Sequence, residues 1–129
     1  MKKITILLVI IFTFLFSNTS WGDWKLGSSS VKGNKSYYDK DRIRKSGKYL
    51  YFWELTDYLK PFRGSLSDTT YVQLDCSIFR SKTLRFQVYK NSMGEGEMLL
   101  EWTPKDVWDY PKPNSVKEGL YNKICEEHQ

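Results

Sequence analysis

The sequence predicts an α+β domain: a single antiparallel sheet of about six strands with one C-terminal helix packed on it. Three observations carry this. Several runs alternate with period two, the longest being KYLYFWELTDY over residues 48–58. Glycine-bearing turns punctuate the runs at Gly33-Asn34, Ser46-Gly47 and residues 91–96, NSMGEG. Only near the C-terminus does the period change. There Val116, Leu120 and Ile124 recur at helical spacing behind a capping pair, Ser115 and Glu118.

The first 22 residues stand outside this domain. Lys2 and Lys3 precede an apolar run over residues 4–16, and the small residues Ser20 and Gly22 precede Asp23. This is the layout of a secretory signal peptide, with the cut expected between Gly22 and Asp23. The apolar run falls short of the roughly 20 residues that span a bilayer, which argues against a membrane anchor. No cysteine adjoins the junction, so no lipid anchor is expected there, and no later segment reads as transmembrane. Residues 23–129 suffice for one small domain. Loss of Lys2 and Lys3 takes the net charge from +5 to +3. So mild a charge on an exported chain argues against a nucleic-acid partner.

The elements follow in order. WKLGSS, 24–29, reads as a short strand, and SYYD, 36–39, returns from the Gly33-Asn34 turn. Residues 39–45 form a turn or an irregular edge. In residues 48–58, Tyr49, Tyr51, Trp53 and Leu55 share one face, while Leu50, Phe52, Glu54 and Thr56 share the other. Mixed occupancy of this kind marks a central strand with one face in the core and the other partly covered. Pro61 is expected to end it, leaving 62–68 as loop. Residues 71–80 make the next strand, with Val72, Leu74, Cys76 and Ile78 on one face. Ser81-Lys82 joins it to 83–90, and MLLEW, 98–102, is the last strand. Residues 104–113 are too proline-interrupted for a regular element, and Trp108 and Tyr110 are expected to pin them to the body. Gly119 weakens the terminal helix by roughly 1 kcal/mol relative to alanine, and the charged end, 126–129, is expected to fray.

Two cysteines remain, Cys76 and Cys125, in a compartment that permits oxidation. An intramolecular bond would staple the helix to the strand that bears Cys76 and would contribute roughly 4 kcal/mol in the chain-entropy model. Free thiols or an intermolecular bridge are the alternatives.

Catalytic chemistry finds little support. The one histidine, His128, is next to last and poorly placed to act as a positioned base. The cysteines lack zinc-site spacing. GEGE, 94–97, lacks the lysine of a phosphate loop. Asp39 and Asp41, or Glu95, Glu97 and Glu101, supply too few converging oxygens for calcium, and no carboxylate pair is set across a cleft as in a glycosidase. The sequence therefore reads as a non-enzyme without cofactor or metal. Rings and cations are the remaining candidates. Lys35, Tyr37, Tyr38, Lys40, Arg42, Arg44, Lys48, Tyr49 and Tyr51 combine large rigid contact area with charge, as protein-binding surfaces do. The bland alternative is an aromatic core face with a solvated lysine-rich rim.

The pattern as a whole resembles the bacterial surface-adhesin protein E family. The matching features are Trp24 just after the leader, YYD at 37–39, WELTDY at 53–58 and YVQLDC at 71–76. A G-x-G turn at 94–96, Trp102, the proline-rich segment and a terminal helix bearing Cys125 follow. The resemblance implies an antiparallel sheet with a C-terminal helix, a Cys76–Cys125 bond, possible homodimerisation, and adhesion to extracellular host or matrix proteins. It also implies a Gram-negative bacterium, with the protein in the periplasm or on the cell surface. A periplasmic structural or envelope-associated protein without a host ligand is the competing reading. The family carries no catalytic residues over.

Overall fold

The computed structural model describes residues 23–128, so the expected signal peptide lies outside the described residues. The strands are β1 (Trp24–Ser29), β2 (Lys35–Asp39), β3 (Arg44–Ser46), β4 (Tyr49–Phe62), β5 (Ser65–Asp75), β6 (Arg80–Tyr89) and β7 (Met98–Trp102), followed by helix α1 (Val116–His128). All strands join one antiparallel sheet in the order β1-β2-β4-β5-β6-β7. Strand β3 pairs with β4 beyond the end of β2, across a single 3-10 turn, Lys40–Arg42. The predicted fold class is therefore what is observed. Consecutive strands pair except for β2 and β3, which both pair with β4.

Three local expectations are corrected. Strand β4 does not stop at Pro61 but runs to Phe62, and β5 begins at Ser65, where a loop was expected. The hairpin turns on Arg63 and Gly64, both with positive φ, 50° and 81°. Arginine gives no sequence signal for such a turn, which usually carries asparagine or glycine. Pro61 is tolerated because the ladder with β5 is interrupted between Asp57 and Phe62, where no amide hydrogen is needed. The next turn also moves. Strand β5 ends at Asp75, and residues 76–79 form the connection instead of Ser81-Lys82. The Asp75 carboxylate decides this: Oδ1 accepts from the backbone N–H of Ser77 and Ile78 at 3.1 and 3.3 Å and from the Ser77 hydroxyl at 2.7 Å. Ile78 is thereby turned outward rather than sharing the buried face of Val72 and Leu74. Finally, the helix holds its form through His128 instead of fraying. Glu127 accepts from the Tyr38 hydroxyl at 2.6 Å and pairs with Lys25 at 3.2 Å.

The core lies between α1 and one sheet face. Leu50 and Phe52 of β4, Val72 and Leu74 of β5, and Tyr38 of β2 meet Leu120, Tyr121, Ile124 and Cys125. Phe52 and Tyr121 meet edge to face, with ring centroids 5.9 Å apart. Each such side chain is worth about 1.5–3 kcal/mol on full burial. The helix starts as its sequence predicts: the Ser115 hydroxyl accepts from the Glu118 N–H at 3.1 Å, and the Glu118 carboxylate reaches back to the N–H of Asn114 at 3.1 Å. Cys76 and Cys125 form the intramolecular disulfide, with Cα atoms 5.8 Å apart. Two glycines set the approach of helix to sheet. A Cβ on Gly27 would stand 2.1 Å from Leu120 Cδ1, and one on Gly119 would stand 2.9 Å from Ser28 Oγ. Gly119, which costs helix propensity, thus sits where the helix passes closest to β1.

Leu120 is fully buried, so its side chain must shift within the packed core to admit a methyl at Gly27. Gly27→Ala is expected to destabilise the protein by about 1–3 kcal/mol through overpacking, read as a lowered urea midpoint with an unchanged slope. An unaltered midpoint would mean that the helix does not rest on β1 as described.

Candidate binding surface

The helix covers one face of the sheet, and alternation sends every second residue of β4 to the other. That open face carries a belt of rings. Tyr49, Tyr51 and Trp53 stand half-buried along β4, and Tyr71 of β5 lies 6.4 Å from Tyr51 and 5.1 Å from Trp53. The proline-rich segment adds Trp108, 5.6 Å from Tyr49, tied in place by mutual backbone hydrogen bonds of 2.8 Å between Ser81 and Asp109. Tyr110 is largely exposed but its side chain hydrogen-bonds that of Arg80, so Tyr110 and Trp108 both tie the segment to the sheet.

Cations cover these rings. Arg44 stands 4.9 Å over Tyr51, Lys48 5.3 Å over Tyr49, and Arg80 and Lys82 stand 4.2 and 4.4 Å from the Trp108 ring. Each contact contributes about 0.5–1 kcal/mol at an exposed site. Arg80 is held by Asp75 at 3.2 Å. Burial by itself would raise the Asp75 carboxyl, but the bonds from Ser77, Ile78 and Arg80 together bring it below its ordinary range.

Beside this belt lies a cavity of about 240 Å³ lined by Trp24, Asp39, Arg42, Trp53, Thr69, Arg85 and Gln87. Its floor is polar and buried: the hydroxyls of Thr69 and Tyr89 both donate to Gln87 Oε1 at 3.1 Å. At its wall the Trp24 indole Nε1–H is buried without a hydrogen-bond partner. Arg42 pairs with Asp39 at 3.5 Å, and Arg85 pairs with Glu101.

The structure brings together Arg42, Arg44, Lys48, Tyr49 and Tyr51 of the residues singled out from sequence. Tyr37 is half-buried opposite Leu55 and Leu26, on the same face but toward the β1 edge. Lys35 is exposed at the start of β2, and Lys40 pairs with Asp23 at 3.1 Å. Tyr38 is a correction: it is fully buried beneath the helix, because its place in β2 points it to the core face. Sequence reasoning missed Trp24, Tyr71, Arg80, Lys82, Arg85 and Trp108 as neighbours of this group. Register across β4, β5 and β6 places Tyr71, Arg80, Lys82 and Arg85 there, β1 brings Trp24, the Ser81–Asp109 bridge brings Trp108, and no local motif announces it.

The family model described as surface-adhesin protein E matches residues 24–126. The chain belongs to that family. Solved structures of Haemophilus influenzae protein E share the fold. One crystal form superposes with a TM-score of 0.58 at 20% identity, covering 84% of this chain and 94% of that one. Another structure gives 0.56 at 19% identity, over 85% and 92% of the two chains. No curated protein matches by sequence. At such identities the protein E structures share an architecture with this family member but do not transfer individual residues.

A second cavity, also about 240 Å³, opens beneath the start of the helix and is lined by Ser30, Asn34, Lys35, Ser36, Glu54, Thr56, Val116 and Lys117. Burial pushes the Glu54 carboxyl up to about 7; the Lys117 charge opposes this, Asp68 adds to it, and a hydrogen bond with Tyr121 offsets part. The folded protein therefore holds a proton on Glu54 that the unfolded chain has released near its ordinary 4.5. Stability contributed by that proton is full below about pH 4.5 and is lost as pH rises to about 7, a change of roughly 3 kcal/mol. Glu54→Gln should flatten this decline and raise the melting temperature at pH about 8. Parallel melting curves of the two proteins across that window would refute the assignment.

Proposed function

We propose that this family member is an exported, non-enzymatic binding protein, a surface adhesin whose open sheet face engages an extracellular host or matrix protein. One observation carries the reading: the face that the helix leaves bare presents Tyr49, Tyr51, Trp53, Tyr71 and Trp108 under a layer of arginines and lysines. Aromatic rings and arginine are the side chains that supply interface anchors. The cavity beside Trp53 adds a receptacle for a partner side chain, with the Trp24 N–H as a donor at its wall. Family membership and the shared fold of the Haemophilus influenzae proteins support the adhesin role. The leader expected at residues 1–22 supports export to the periplasm or surface of a Gram-negative cell.

A second observation favours self-association alongside this role. Strand β7 forms one edge of the sheet, and Met98, Leu99, Leu100 and Trp102 along it are each 42–55% exposed. An unpaired apolar edge is a template for a strand from a second copy.

The test is capture of immobilised matrix and plasma proteins by the purified, oxidised protein, repeated with the joint variant Arg42→Ala, Arg44→Ala, Lys48→Ala and Tyr51→Ala. Affinity should fall at least about tenfold, the effect of losing one or two interface anchors. Equal capture by the variant would remove the open face from the reading, and antibody staining that reaches the protein only in broken cells would remove the adhesin role. Light scattering decides the edge: Leu100→Lys should convert a dimer to a monomer, and a wild-type monomer at all concentrations would end that reading.

A further inference from the structure

A separate surface lies at the end of the sheet, where the β1–β2 turn and the β4–β5 hairpin stand side by side. The two tips are joined. Leu59 N–H donates to Asn34 Oδ1 at 3.1 Å, and Leu59 packs so close to Gly33 that a Cβ there would lie 2.8 Å from Leu59 Cδ2. The first tip is itself closed by hydrogen bonds between Ser30 and Asn34 and from Gly33 N–H to Ser30 O. On the second tip, Phe62 stacks on Tyr58 at 5.7 Å, and the Tyr58 hydroxyl is anchored by a hydrogen bond to the Asp68 carboxylate. The result is a fixed platform rather than two independent loops.

What this platform displays is unusual for a protein facing water. Val31 is fully exposed, Leu59 is 66% exposed and Phe62 55%. Four cations surround them, Lys32, Lys35, Lys60 and Arg63, the last standing 5.4 Å from the Phe62 ring. Residues 30–35 and 58–66 contain no carboxylate. The β6–β7 turn at this end, residues 91–97, carries Glu95 and Glu97 but folds back onto the open face, and the Glu118 carboxylate at the nearby helix start is engaged by the Asn114 N–H at 3.1 Å. Met93 N–H donates to Asp57 Oδ1 at 2.9 Å and Gly94 N–H to Ser67 Oγ at 2.9 Å, while the β4–β5 hairpin runs on past that anchor to Arg63 and Gly64.

We propose that these joined tips dock on an anionic phospholipid bilayer. The chemistry divides into two parts. Val31, Leu59 and Phe62 enter the boundary between headgroups and acyl chains, where apolar and aromatic side chains gain most. Lys32, Lys35, Lys60 and Arg63 remain at the headgroup level, where each basic residue adds favourable energy against a negative surface. A protein partner fits less well. Interface cores are depleted of lysine, whereas Lys32 and Lys60 line, together with Leu59 and Phe62, the cavity of about 430 Å³ between the two tips. The site is distinct from the open face and from the β7 edge, so it goes beyond the adhesin reading and can fail or stand independently of it.

Vesicle flotation tests it directly. The purified, oxidised protein is mixed at low ionic strength with phosphatidylcholine vesicles that either contain or lack phosphatidylglycerol. It should float with the anionic vesicles, stay behind with the neutral ones, and release progressively as salt is added. Phe62→Ser should cut the bound fraction about tenfold, and Lys32→Glu with Lys60→Glu and Arg63→Glu should abolish it. These side chains are exposed, so an unchanged melting temperature will show that the variants fold. Absence of flotation with anionic vesicles overturns the proposal. So does flotation that the tip variants leave intact, which would put the membrane contact elsewhere. Capture of a protein partner that depends on Phe62, without vesicle binding, would reassign the tips to a protein interface and overturn it equally.

Discussion

The approach of one helix to one face of the sheet is the constraint on which the rest of this structure depends. The contact is short because Gly27 and Gly119 remove the Cβ atoms that would hold helix and strand apart. It is made durable by the disulfide between Cys76 and Cys125. A domain this small has a limited core, and stapling the last element to the β5–β6 connection restricts the unfolded chain as well as fixing the native packing. Apolar burial then concentrates under α1, where Tyr38, Phe52, Leu74, Tyr121 and Ile124 are each sealed from water.

Covering one face defines the other. With Leu50, Phe52, Val72 and Leu74 committed to the helix side, the larger rings of β4 and β5 are left half-covered on the far side. Their polar tips reach water there while their bodies pack against one another. Arginines and lysines lie over those rings, so the surface is stabilised without being closed. A second consequence appears under the helix start, where the sheet retains Glu54 and Asp68 near Lys117 and Tyr121 rather than an apolar layer. Polar groups there cost stability at neutral pH, in exchange for an opening of appreciable volume between helix and sheet.

Much of the fold was legible because its signals are local. The alternation of β4, the Gly33-Asn34 turn, the short β7 and the Ser115–Glu118 cap each lie within a few residues of sequence. Where the reading failed, a side chain overruled the pattern. Asp75 folded the apolar run after it into a turn by accepting three bonds, and Arg63 took a left-handed conformation that its chemistry does not advertise. The candidate surface was half legible. Arg42, Arg44, Lys48, Tyr49 and Tyr51 were gathered by proximity in sequence, and Tyr38 was wrongly gathered with them, since adjacency cannot tell which of two neighbouring tyrosines faces inward.

By itself, then, the sequence determined a meander of strands closed by a helix, and two cysteines suited to a staple. Periodicity and turn chemistry are encoded within short stretches of chain. Only the tertiary structure decided which face of the sheet the helix takes, and so which aromatic residues become core and which remain available. It alone set Trp108, Arg80 and Lys82 beside Tyr49, and joined the tips that carry Val31 and Phe62. The reason is physical: a strand's alternation fixes that two faces differ, but not which one another element will cover. That choice rests on register and on contacts between residues far apart in sequence.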